Sequence, residues 1–138
     1  MTAVEWLGIR NDPQLTVCFG TALGYLSIWR QGSKEVYEEV STTKIGGGKE
    51  ILSIEADKPT PNEVRFIVGS LCGHVQLWKY ENGSLENIFA ITIGTTIPRK
   101  VAFTPMAASS KSKARTITVY GLYDGQMYLF FFLSPTVG

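Results

Sequence analysis

The stretch VGSLCGHVQLWK, residues 68–79, holds two short apolar runs joined by a four-residue turn that ends in glycine. Two further stretches follow the same plan, FGTALGYLSIWR (19–30) and YGLYDGQMYLFF (120–131). Gly20, Gly69 and Gly121 are spaced by 49 and 52 residues, and Gly24, Gly73 and Gly125 each lie four residues later. Leu26, Val75 and Met127 follow, then Ile28, Leu77 and Leu129, then an aromatic at Trp29, Trp78 and Phe130. Read without gaps, the unit is strand, glycine, turn, strand, aromatic. Alternating and β-branched runs of this length predict strands, and a glycine-ended turn between them predicts a tight hairpin.

Outward from each hairpin the pattern repeats. An apolar run precedes each one: VEWLGI (4–9), EILSI (50–54) and KVAF (100–103). A second turn, RQGSK (30–34) or Asn82-Gly83, leads into EVYEEV (35–40) or LENIFAI (85–91). Each copy therefore reads as a four-stranded antiparallel meander, and no window carries a helical 3.6-residue apolar period. The expected units are residues 1–44, 45–96 and 97–138, the last without its outer strand. Repeats at such periods signal an architecture built by stacking units.

The hairpins resemble the core of a WD repeat, with Trp29-Arg30, Trp78-Lys79 and Phe130-Phe131 where that family closes on Trp-Asp. The resemblance implies blades of a β-propeller, here an open partial propeller of three. It also implies that blades are stabilised by Trp29 with Thr21 and by Trp78 with Ser70. The family's aspartate position holds Leu23, Cys72 and, in the third copy, Asp124. No histidine precedes a first strand, since His74 follows the turn glycine. Partner contacts in the family often fall just before that aspartate position, which designates Ala22, Leu71 and Tyr123 as the candidate rim. Propellers close with four to eight blades, so three blades imply a piece of a longer propeller or self-association to complete one.

Composition narrows the function. Lys+Arg 13 against Asp+Glu 12 gives a net charge of +1, with no bias toward nucleic acid or anionic membrane. The longest apolar stretch, Met127 to Leu133, is too short for a membrane helix. The opening MTAVEWLGIRND is not built like a signal peptide, so a cytoplasmic protein is expected, with the nucleus also open.

Candidate chemistry is sparse. GGGKE (46–50) has Thr43 and Glu50 where a phosphate loop needs Gly and Ser/Thr, and reads as a flexible connection between blades. Cys18, Cys72 and His74 are too few and too scattered for a zinc site, so neither metal nor cofactor is expected. Cys72 with His74 is the one conceivable nucleophile–base pair. Residues 99–115 carry Arg99, Lys100, Lys111, Lys113 and Arg115 with no acid, and read as a solvated loop. Asn82-Gly83-Ser84 reads as hairpin chemistry, not a glycosylation site. The expectation is a non-catalytic protein-interaction scaffold that binds a protein partner. A small enzyme using Cys72 and His74, or a truncated product without a role of its own, are the alternatives.

Overall fold

The computed structural model describes residues 1–8, 14–34, 36–57, 63–92, 97–103, 114–121 and 127–133. The first sheet comprises β1 (Ala3–Leu7), β2 (Thr16–Gly20), β3 (Tyr25–Gln31) and β4 (Tyr37–Lys44). The second comprises β5 (Ile51–Ala56), β6 (Val64–Ser70), β7 (His74–Glu81) and β8 (Ser84–Thr92). The third comprises β9 (Pro98–Phe103), β10 (Ala114–Gly121) and β11 (Met127–Leu133). Every pairing is antiparallel between chain neighbours, so each sheet is a meander. The only helical turn among the described residues is a single 3-10 turn, Gly46–Gly48, and none of their helices is long and apolar enough to cross a membrane.

The middle sheet explains why three sheets hold together. Along β6, Val64, Phe66 and Val68 turn toward the first sheet while Ile67 turns toward the third. Both faces of this strand are covered, which is why VRFIVGS is apolar almost without interruption. One core joins sheets one and two through Leu7, Cys18, Leu26, Ile28, Ile54, Phe66 and Trp78. A second joins sheets two and three through Ile67, Val75, Leu77, Val101, Phe103, Ile117 and Val119. The first strands β1, β5 and β9 lie side by side along one edge of this stack.

Gly20 marks where the sheets approach most closely. A Cβ there would lie 2.4 Å from Ile51 Cγ2, whereas at Gly69 the nearest atom, Val101 Cγ1, is 3.2 Å away. Gly20→Ala should therefore lower stability by about 1–3 kcal/mol through overpacking, and Gly69→Ala by less. Thermal melts of both variants check this ranking. The turn glycines serve another purpose: Gly24 and Gly73 have φ of +82° and +91°, which only glycine adopts without strain. Asn82 and Gly83 both have positive φ, giving the primed two-residue hairpin their sequence predicts.

Three readings of the sequence need correction. The gapless alignment breaks in the third copy: Gly20 pairs with Leu26 and Gly69 with Val75, but Tyr120, not Gly121, pairs with Met127. The third hairpin is one residue longer, and Gly121 is displaced across a bulge to pair with Pro98. The GGGKE segment is not a loose tether. Ile45 is buried and its N–H donates to Gly24 O at 2.7 Å, while Ile51 N–H donates to Thr21 O at 3.1 Å. The connection is thereby docked on the first turn. Finally, the fourth strand of the first sheet starts at Tyr37 and runs through Lys44, later and longer than EVYEEV.

Candidate functional site

The turns that follow β2 and β6 are built alike. Thr21 N–H donates to Tyr25 O at 3.0 Å and Gly24 N–H to Thr21 O at 3.2 Å; in the second sheet Gly73 N–H donates to Ser70 O at 3.0 Å. The docked connection bridges them, because Ile51 N–H reaches Thr21 O and Leu71 N–H reaches Glu50 O at 2.8 Å. The two turns form one continuous rim. Ala22 is exposed and Leu71 half-buried on it, but the larger apolar group in the first turn is Leu23, 67% exposed. Tyr123 and Asp124 lie outside the described residues.

The tryptophans use partners other than those the resemblance implies. Trp29 Nε1–H donates to Ser27 Oγ at 2.8 Å, and Trp78 Nε1–H to Gln76 Oε1 at 2.8 Å. Each partner is two residues back on the same strand, where the side chain shares the tryptophan's face. Thr21 Oγ1 instead accepts from Tyr25 N–H, and Ser70 Oγ lies 2.8 Å from Cys72 Sγ. Around Trp29 the bonds continue from Ser27 to Thr42 and from Thr42 to Glu39. Thr42 spends its proton on the carboxylate, so Ser27 must donate to Thr42 while it accepts from the indole. The spacing Ser-x-Trp and Gln-x-Trp was the available signal for these pairs.

Two clefts lie between the first and later sheets. One, of about 630 Å³, is lined by Lys44, Gly47, His74, Gln76, Trp78 and Asn87, where the docked connection meets β7 and β8. Its amides are committed to structure: Gln76 holds the indole, and Asn87 Nδ2 lies 3.3 Å from both Leu77 O and Phe89 O. Lys44 and His74 are its ionisable groups. The other cleft, about 320 Å³, runs beside the first strands past Thr2, Ser53, Arg99 and Lys100.

The cysteines are placed apart. Cys18 is fully buried, and burial, with the Glu5 charge adding to it, raises its thiol far above the ordinary range. It is held protonated and is no nucleophile. Cys72 Sγ meets the Ser70 hydroxyl, and no hydrogen bond joins Cys72 to His74. Among the described residues no group of three or more His, Cys, Asp or Glu is arranged to hold a metal ion.

The sequence reading missed Glu5 and Glu55. Glu5 Oε2 accepts from Ala56 N–H at 3.2 Å, one sheet further along, and the Glu55 carboxylate accepts from the backbone of Phe103. β1 and β5 thus each hand a carboxylate to the next first strand. The recurrence of Val-Glu and Ile-Glu at 4–5 and 54–55 was the legible trace. Burial raises the Glu55 carboxyl above its ordinary value, the Phe103 bond opposes this, and the neighbouring Glu5 adds to the rise. The folded state therefore binds this proton more readily than the unfolded chain. Its contribution is fully present below the unfolded pKa and lost as pH rises through the raised folded value. Glu5→Gln should bring the Glu55 midpoint down in a carboxyl-carbon NMR titration; an unmoved midpoint would leave burial and the Asp57 charge as the causes of the rise.

The β-propeller domain of Nup133 from Vanderwaltozyma polyspora superposes over 97% of this chain with a TM-score of 0.57. The fold is an open partial β-propeller. Identity to that domain is 11%, and the chain spans 43% of its length. No protein-family model matches the chain, and no curated protein matches it in sequence. The three sheets are blades, with β1, β5 and β9 as their first strands.

Proposed function

We propose that the chain is a non-catalytic protein-interaction scaffold of the WD-repeat type, acting in the cytoplasm as a relative or a part of a larger propeller. The observation that carries this reading is the rim, in which the docked connection fastens the first two turns into one surface bearing Leu23 and Leu71. Apolar side chains held on rigid backbone bury area on binding at little ordering cost. Next to them the 630 Å³ cleft offers Lys44 and His74 to an acidic side chain of the partner. The propeller fold supports the reading at the level of architecture, since such folds display loops from successive blades together.

Affinity capture with the wild-type chain and with a Leu23→Asp/Leu71→Asp variant tests it. Retained partners should lose tenfold or more in affinity for the variant, while its far-ultraviolet spectrum stays unchanged. Identical partner sets and affinities for the two proteins would refute the rim as the binding surface.

A further inference from the structure

One side of β7 carries His74, Gln76 and Trp78 in a row, because alternate residues of a strand share a face. This row lines the 630 Å³ cleft together with Asn87 of β8, Lys44 of β4 and the docked connection. Among the described residues no carboxylate lines it. Elsewhere the cations on these strands are paired: Arg65 and Lys79 meet Glu63, Glu81 and Glu86. Lys44 has no such partner among the described carboxylates, yet its ammonium is held in place. Nζ stands 6.0 Å from the centroid of the Tyr25 ring, a cation–π contact. It also leans on Gly48, where a Cβ would lie 3.2 Å from Lys44 Cε and 3.5 Å from Nζ. The amides are oriented as well. Gln76 Oε1 accepts the Trp78 indole proton at 2.8 Å, which leaves the Gln76 NH2 group to donate. Asn87 is turned the opposite way, with Nδ2 toward Leu77 O and Phe89 O, so Oδ1 is left to accept. The row is not a fixed part of the repeat, since the matching positions of the first blade are Tyr25, Ser27 and Trp29.

We propose that this cleft takes a phosphorylated serine or threonine of the protein partner, an inference that rests on the scaffold reading and names the acidic group involved. Three donors reach the cleft: the Lys44 ammonium, an imidazole N–H of His74 and the Gln76 NH2 group. A phosphoryl group meets them with three strong acceptor oxygens and a charge of about −1.5 to −2. A carboxylate has two oxygens in one plane and is best matched by the planar fork of arginine, which this cleft lacks. Lysine serves phosphate as a point charge. Asn87 Oδ1 adds an acceptor for a backbone N–H of the segment that carries the phosphate. Ile45 and Trp78 are buried, so the cleft shows little apolar area to an aromatic stem, and the short stem of serine or threonine fits it. The open space at Gly47, where a Cβ would meet nothing within 4 Å, leaves room for the chain. The cleft also adjoins the rim, since a Cβ at Gly48 would lie 3.9 Å from Leu23 O.

An NMR titration of the full chain with N-acetyl-O-phosphoserine methylamide tests this. It needs no protein partner, so its failure is distinct from a failure of the Leu23→Asp/Leu71→Asp capture. The Gly47 and Gly48 amides and the His74 imidazole should shift saturably. The aspartate analogue of the probe and inorganic phosphate should each bind about tenfold more weakly, the one for want of charge and oxygens, the other for want of the amide. Lys44→Gln should weaken phosphoserine binding by about tenfold, with His74→Ala as a second lesion of the same sign. Lys49→Gln removes an equal charge from an exposed residue that does not line the cleft, and should leave binding unchanged. Inorganic phosphate that binds as tightly as the probe would make a free anion the ligand and overturn the proposal. Equal affinity for the aspartate analogue, equal losses at Lys44 and Lys49, or the absence of saturable shifts would overturn it as well.

Discussion

Trp78→Ala should destabilise the protein by about 3–5 kcal/mol, whereas Trp29→Ala, at the equivalent position one blade earlier, should cost about 1–2 kcal/mol. Trp78 is 8% exposed, packed into the core between the first two blades, and its N–H is held by Gln76. Truncation leaves a large cavity that the close-packed sheets cannot collapse around, and strands Gln76 Oε1 at the cleft wall. Trp29 has the same local hydrogen bond and strand position but no blade over its face, so truncation removes mainly the Phe19 stack and the Ser27 bond. Urea unfolding of the two variants separates these effects. Equal losses would mean that the strand motif, and not blade stacking, supplies the stability.

The hairpins were legible because each depends on residues near in sequence. Gly24 and Gly73 adopt positive φ in the turns themselves, and Asn82-Gly83 specifies its own hairpin. The stacking of blades was legible only through its strictest demand, glycine where Ile51 or Val101 comes close. What escaped depends on which face a residue takes and on what lies one blade away. Glu5 and Glu55 read as ordinary strand charges until the next first strand brings an N–H to them. The family pattern pointed to Thr21 and Ser70 as tryptophan partners, but side-chain alternation along the strand put Ser27 and Gln76 on the indole's face. In the third copy the glycine at 121 was a misleading anchor. One extra residue in the hairpin moved the register, and the inward set became Ile117 and Val119. Rim anchors follow the same division: Leu23 was hidden at a position where the family has aspartate, while Leu71 could be read from its turn.

Glu63→Ala should be the most damaging change among the charged residues described, at about 3 kcal/mol. Glu63 is 7% exposed, and its Oε1 accepts Arg65 Nε at 3.0 Å and pairs with Nη2 at 2.9 Å, a geometry that uses two prongs of the guanidinium. Lys79 Nζ lies 3.8 Å from Oε2 but is closer to Glu86, at 3.1 Å, and to Glu81, at 3.6 Å. Its hydrogen bond to Glu86 raises the Lys79 pKa. Lys79 therefore keeps two carboxylates in solvent when Glu63 is lost, whereas Arg65 keeps its burial and loses the carboxylate it faces. Part of the cost falls on Arg65, a cation 13% exposed that loses its two-pronged bond, and part on the lost attraction itself. Two companions separate those parts. The paired Glu63→Leu/Arg65→Met replacement should recover most of the lost stability, and Lys79→Met should scarcely move the unfolding midpoint, because its ammonium is screened by water. A double replacement as damaging as Glu63→Ala would show instead that the ion pair itself holds the end of β6 in register.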